Sequence, residues 1–151
     1  MKLILGIGLC LAVVSSCVVG HSQEVKIDLN AIAMIESSGN ALAYNKSSGA
    51  VGKYQITLAC LKDYNMAHMR YTYSLEEMYD PIKAEIVAEW YFGRIERYLK
   101  HYGLPVSIEY VLISYNWGIG NVRKWYEGGA EWDRLPRESR EYVKKYNKLV
   151  N

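Results

Sequence analysis

Three short motifs carry residue types that could cleave a sugar polymer. Glu36 ends an apolar stretch, Gln55 closes the run 52–55 behind Gly52, and Asn116 lies just before Gly118. A carboxylic acid can protonate a leaving oxygen, and the side-chain amides of Gln and Asn can hydrogen-bond sugar substituents. The order of these residues and their neighbouring glycines predict a sugar-cleaving cleft with Glu36 as its acid.

Glu36 lies on or beside the apolar stripe that holds Ile32 and Ile35. A helix that buries those two residues brings the Glu36 carboxyl to the edge of the core, where burial raises the pKa of an acid. Taken alone, a Glu in a last helical turn more often faces solvent, and Gln55 and Asn116 could simply satisfy backbone groups at turns. Only the combination of the three motifs predicts a catalytic site.

Helix signals predict the elements that position these motifs. Asp28 is a candidate N-cap for the Glu36 helix, and Thr57 is one for the helix after the Gln55 turn. Asp80, followed by Pro81, opens the longest helix, which should end at Gly103. For that helix the sequence predicts one buried stripe: Ile82, Ile86, Trp90, Tyr91, Ile95, Tyr98, Leu99 and Tyr102.

The carboxyl-terminal third predicts three more helices. Ser107 starts the helix that carries Asn116, with breaks at Gly118 and Gly120; a short helix over 121–127 follows, and Pro136 opens the last one. No run of alternating apolar residues predicts a long strand. The expected fold is therefore mainly α, a single domain over 24–151 with at most a small β-sheet beside the cleft.

The first residues predict an export signal. Lys2 precedes an apolar run over 3–14, followed by small residues, which is typical of a signal peptide over 1–20. Cleavage after Gly20 would release a soluble protein, whereas the run ending in Cys17 resembles a lipobox, which would make Cys17 the lipid-bearing residue. We expect a protein of the periplasm or cell envelope, soluble or anchored by lipid to the outer membrane.

Composition narrows the classes of ligand. A formal net charge of +2 and the lack of a basic run argue against nucleic-acid binding. The 14 Tyr against one Phe suit groove walls that both stack on sugars and hydrogen-bond them. Cys60 has no His or Cys nearby in the sequence, so we expect a small buried side chain rather than a nucleophile. No pattern indicates a metal or an organic cofactor.

The motifs together resemble the lytic transglycosylases that have a soluble-lytic-transglycosylase (SLT) domain, of the lysozyme-like superfamily. The resemblance covers 29–149 and rests on Glu-Ser, Gly-x-x-Gln and Tyr-Asn-x-Gly in that order. It implies that Glu36 is the catalytic acid and base and that Ser37, beside it, orients the substrate and the carboxyl. It also implies that Gln55 and Asn116 contact the sugar and that Tyr146 hydrogen-bonds near the acid. Lys53-Tyr54 and Trp117 depart from the usual family residues, which affects the shape of the cleft wall.

The same resemblance implies cleavage of peptidoglycan between N-acetylmuramic acid and N-acetylglucosamine with a 1,6-anhydro product. No second carboxylate belongs to a motif, which favours a lyase over a two-carboxylate hydrolase; the acids considered are Asp63, Glu76, Glu77 and Asp80. A lysozyme-like muramidase and an inactive peptidoglycan-binding module are the alternatives. The small size resembles specialised enzymes that open the wall for secretion machines, pili or phage entry.

Overall fold

The computed structural model describes residues 25–70 and 72–151, and these residues contain six α-helices. The expected signal peptide and Cys17 lie outside the described residues. The helices are α1 Leu29–Ser37, α2 Leu58–Ala67, α3 Pro81–His101, α4 Ile108–Trp117, α5 Ile119–Glu127 and α6 Arg137–Val150. Two short 3₁₀ turns, Glu76–Tyr79 and Trp132–Arg134, complete the regular structure. The prediction of a mainly α fold is confirmed.

The predicted helix starts are confirmed at four side-chain caps. The side chains of Asp28, Thr57, Asp80 and Ser107 each accept a hydrogen bond from a backbone N–H in the first turn of the following helix. Such a bond satisfies one of the backbone donors that a helix start leaves without a partner, and it stabilises the helix by about 1 kcal/mol. Each cap bonds a backbone group two or three residues away in the sequence, which is why the sequence predicts these helix starts.

The first turns of α3 bury a different face from the one predicted, whereas Ile95 and Leu99 of the predicted stripe are buried. Ile82 and Ile86 are 72 % and 42 % exposed, whereas the small residues Ala84 and Ala88 are buried in the core. The buried residues recur at three- and four-residue steps: Ala84, Val87, Ala88, Phe92, Ile95, Glu96 and Leu99. Because two alanines allow close helix packing, the core stripe runs through them and leaves the larger isoleucines at its edge.

The break between α4 and α5 occurs at one glycine. Gly118 adopts φ 90°, a backbone conformation that favours glycine, and it ends α4. Gly120 lies inside α5, so the predicted second break is wrong. The positive φ of Gly118 is enough to turn the chain between the two helices, and α5 begins at the next residue.

A loop over 38–57 connects α1 to α2 and forms the floor of the candidate site. Two isolated antiparallel bridges, Tyr44 to Val51 and Val51 to Ile56, are its β structure. One core joins this loop to all six helices, because Val51, Tyr54 and Ile56 are buried together with helical residues. Of the helices described, none combines the length and the apolar character needed to span a membrane.

Candidate active site

Glu36 lies in the last turn of α1 at a cavity of about 700 Å³. Gln55 and Asn116 line the same cavity, so the three motifs meet in space as predicted. We call this space the Glu36 cavity. Burial raises the pKa of Glu36 above the ordinary value of 4.5; the charge of Glu138 raises the pKa further, while Lys145 lowers it.

Tyr142 on α6 holds the Glu36 carboxyl. Its hydroxyl donates a 2.7 Å hydrogen bond to Glu36 Oε1, and this bond opposes the effect of burial on the pKa of Glu36. Burial and the nearby charge of Glu36 raise the pKa of Tyr142 well above its usual range, so Tyr142 remains a donor at any pH at which the protein works. The carboxyl is thereby fixed in direction while it can still gain or lose a proton.

Tyr146, which the family resemblance implied near the acid, lies elsewhere. It is 2 % exposed, and its hydroxyl oxygen accepts a 2.8 Å hydrogen bond from the backbone N–H of Asp28. Helices α1 and α6 run antiparallel, so Tyr142 meets the end of α1 and Tyr146 meets its start. The expectation for Tyr146 is therefore wrong, and the residue one turn earlier fills the position.

The turn before Gln55 requires glycine at position 52. Gly52 has φ 78°, and a Cβ there would lie 2.0 Å from the backbone oxygen of Met78. Gln55 also has a positive φ of 49°, and both its backbone N–H and its Nε2 donate to the Gly52 oxygen. The turn is tight and internally bonded, and it presents the Gln55 side chain at the Glu36 cavity.

Ser37 ties this turn to the helix that carries the acid. Its Oγ donates a 2.8 Å hydrogen bond to the carbonyl oxygen of Lys53. Ser37 is not among the residues that line the Glu36 cavity, and its Oγ also lies 3.3 Å from the carbonyl oxygen of Ala33, one turn earlier in α1. Through its bond to Lys53, Ser37 fixes the spacing between Glu36 and Gln55; its expected role in orienting the substrate and the carboxyl stays a prediction.

Two tyrosines hold the same turn from the other side. The Tyr115 hydroxyl donates to the Tyr54 carbonyl oxygen at 2.8 Å, and the Tyr54 hydroxyl donates to Glu85 at the same distance. Burial keeps the pKa of Tyr115 well above its ordinary value, so this donor also stays protonated. Tyr115 of the Tyr-Asn-x-Gly motif is thus a support of the turn, a contact between distant motifs that the sequence did not reveal.

Asn116 is oriented by a residue that sequence reasoning missed. Ser139 on α6 is 1 % exposed, and its Oγ donates a 2.8 Å hydrogen bond to Asn116 Oδ1. This bond occupies the amide oxygen and leaves Asn116 Nδ2 as the donor that a ligand in the cavity can use. A serine inside an amphipathic helix gives no sequence signal for this role.

A charged face of α6 forms one wall of the Glu36 cavity. Arg137, Glu138, Glu141 and Lys145 line it together with Tyr142. Two carboxylates that the sequence analysis did not consider, those of Glu138 and Glu141, therefore lie at the cavity.

Three of the acids considered above as a second carboxylate have structural roles. Asp63 pairs with Arg94 at 3.1 Å, and Glu77 pairs with Lys83 at 2.7 Å. Asp80 caps α3.

Cys60 also borders the cavity, and it is 7 % exposed. Burial, assisted by the charge of Asp63, raises the pKa of the Cys60 thiol to about 12. A thiol is nucleophilic only as its thiolate, so Cys60 is a packing residue. Within residues 25–70 and 72–151, no three His, Cys, Asp or Glu side chains form a group that could hold a metal ion.

Comparison with known proteins gives one match. The family model described as the transglycosylase SLT domain matches residues 22–133, which include Glu36, Gln55 and Asn116. No curated protein and no solved structure matches the chain. The matched span ends before α6, so Tyr142 and Ser139 lie beyond it.

Proposed function

The chain belongs to the transglycosylase SLT domain family, and we propose that it cleaves the glycan strand of peptidoglycan without consuming water. Membership in this family implies transglycosylase-type activity on peptidoglycan, and the mainly α fold is that of a lysozyme-like domain. The observation that carries the finer proposal is Glu36: a half-buried carboxyl with a raised pKa, fixed by Tyr142, in a cavity shared with Gln55 and Asn116.

In the first step, protonated Glu36 donates its proton to the oxygen that bridges N-acetylmuramic acid and N-acetylglucosamine. The bond from that oxygen to C1 of the muramic acid breaks, and the N-acetylglucosamine leaves as an alcohol. The carbonyl oxygen of the muramoyl N-acetyl group stabilises the positive charge at C1, so a second protein carboxylate is not required. Tyr142 then donates its hydrogen bond to the carboxylate that Glu36 has become.

In the second step, the Glu36 carboxylate removes the proton from the C6 hydroxyl of the same muramic acid. The C6 oxygen attacks C1 and closes a 1,6-anhydro ring, and Glu36 is protonated again. One residue serves as acid and then as base, which requires a pKa near the working pH. Burial raises the pKa of Glu36, which is the direction that this requirement needs.

Replacement of the acid by its amide tests this assignment. Glu36→Gln keeps the shape of the side chain and removes the titrating proton, so turnover of purified peptidoglycan should fall below detection while binding to it persists. Gln55→Glu is unsuitable as a control because it changes the turn; Glu85→Gln, at the outer end of Tyr54, alters charge without touching the cavity. Wild-type rates in Glu36→Gln would exclude Glu36 as the acid.

A lysozyme-like hydrolase is the second candidate, and one observation favours it. Glu138 lies on the wall of the Glu36 cavity and is exposed, so it could activate a water molecule as a second carboxylate. This mechanism would leave hydrated reducing ends, and Glu138→Gln would abolish their formation. Anhydro ends from the wild-type protein would exclude it.

We also propose that the protein works in the cell envelope, where its substrate is found. Support comes from the sequence: Lys2, the apolar run over 3–14 and the small residues after it have the pattern of an export signal. The mass of the amino-terminal peptide of the exported protein distinguishes the two routes. A lipid-modified Cys17 at the new terminus indicates an anchored protein, and His21 indicates a soluble one. An unprocessed Met1 terminus on exported protein would contradict both.

A further inference from the structure

One wall of the Glu36 cavity carries charged side chains. Arg137 and Lys145 lie on the same wall, two turns apart on α6. The sugar rings and their N-acetyl groups carry no charge, so they offer no partner of opposite charge for two cations. The peptide attached to each muramic acid does carry charge, because it contains free carboxylates.

Arg137 and Lys145 are available for such a ligand. Among the described residues, no carboxylate forms an ion pair with either side chain, whereas two other cations on α6 are paired. Lys144 pairs with Glu141 at 3.0 Å, and Arg140 pairs with Asp133 at 3.3 Å. Glu141 forms its ion pair with Lys144, although the charges of Arg137 and Lys145 also lower the pKa of Glu141. Glu138 is the other carboxylate on this wall.

Resting on the proposed function, we propose that Arg137 and Lys145 form a subsite for the carboxylates of the peptide attached to the muramic acid. A guanidinium binds a carboxylate through two parallel hydrogen bonds, and an ammonium adds a second point of charge. Both side chains stand on the helix that carries Tyr142, so a peptide bound there would be held beside the sugar that Glu36 attacks. The protein therefore prefers peptide-bearing strands over strands whose peptides have been removed.

Binding measurements separate this subsite from the catalytic step. Titration calorimetry in a Glu36→Gln background, where turnover is blocked, gives the Kd for soluble glycan strands with and without peptides. We expect the peptide-bearing strand to bind about tenfold more tightly, as expected for a charge-assisted contact. The double variant Arg137→Gln, Lys145→Gln should bring the two Kd values together without changing the Kd for bare strands, and added salt should reduce the preference of the parent.

Lys148→Gln is the matched control, because Lys148 is an exposed cation one turn further along α6 and outside the cavity. It should keep the tenfold preference. Equal binding of the two strands by the parent, or binding of neither, would overturn the subsite. An equal loss of affinity for both strands in the double variant would also overturn the subsite. The cations would then contact the lactyl carboxylate of the muramic acid, which bare strands retain. Different results would contradict the proposed function itself: hydrated products, or normal turnover by Glu36→Gln.

Discussion

Tyr142→Phe is the most informative perturbation of the acid. The substitution removes one hydroxyl and with it the 2.7 Å hydrogen bond to Glu36 Oε1, while the ring stays in the core. A hydrogen bond to a charged group contributes roughly 1.5–3 kcal/mol, and each 1.4 kcal/mol is a factor of ten in rate. In the proposed mechanism Glu36 gains negative charge as it protonates the leaving oxygen, so the lost bond raises the barrier. We expect kcat to fall by roughly 10- to 100-fold.

The same substitution should shift the pH dependence of activity in a defined direction. Tyr142 lowers the pKa of Glu36, so its removal lets burial raise the pKa of Glu36 further. Glu36 must start protonated, and activity therefore falls as the pH rises through its pKa. The alkaline limb of the profile should move to higher pH in Tyr142→Phe. Release of muropeptides from purified peptidoglycan, measured at a series of pH values, provides both quantities.

Tyr146→Phe is the matched control, since it removes a hydroxyl from the same helix one turn later. Its lost bond to the Asp28 backbone should lower the free energy of unfolding by about 1 kcal/mol and leave the alkaline limb where it was. A limb that stays fixed or moves to lower pH in Tyr142→Phe, with kcat within twofold of wild type, would refute the role assigned to Tyr142.

Three further predictions concern stability and reactivity. Glu36→Gln should stabilise the fold near neutral pH: the folded state binds the Glu36 proton more tightly than the unfolded state, so the free energy of unfolding of the wild type falls as pH rises above 4.5. Thermal melts should show that gain vanishing below pH 4.5, and a gain of equal size at both pH values would contradict the cause. Gly52→Ala should cost roughly 2–4 kcal/mol in urea unfolding through its backbone angle and its contact with Met78, whereas an unchanged midpoint would contradict the turn geometry. Cys60 should resist iodoacetamide in the folded protein at pH 8 and react once unfolded, because burial raises the pKa of its thiol to about 12; peptide mapping that finds it modified in the folded state would disprove this.

Local chemistry made much of the fold predictable. The caps Asp28, Thr57, Asp80 and Ser107 depend on side chains within three residues of the backbone groups they bind, so their signal lies in a short stretch of sequence. The apolar pattern did not predict the buried face in the first turns of α3. Ala84 and Ala88 contribute little to that pattern, although their small size allows the close packing that buries them.

The supports of the site depend on distant contacts, which explains why they were missed. Tyr142 and Tyr146 share one face of α6, and only the antiparallel packing of α1 against α6 decides which of them reaches Glu36. Glu138 and Lys145 have the pattern of a solvent-exposed helix face, and tertiary packing brings that face over the end of α1. The acid itself was predicted to lie half shielded at the cavity with Gln55 and Asn116, and there the geometry agrees.

The mass of the products from purified peptidoglycan tests the central claim most directly. If the Glu36 carboxylate recovers its proton from the C6 hydroxyl, mass spectrometry will find disaccharide peptides that end in 1,6-anhydro-N-acetylmuramic acid, lighter by one water than hydrolysis products. Digestion in water labelled with heavy oxygen should place no label at the new ends. Hydrated, labelled reducing ends would contradict the lyase mechanism.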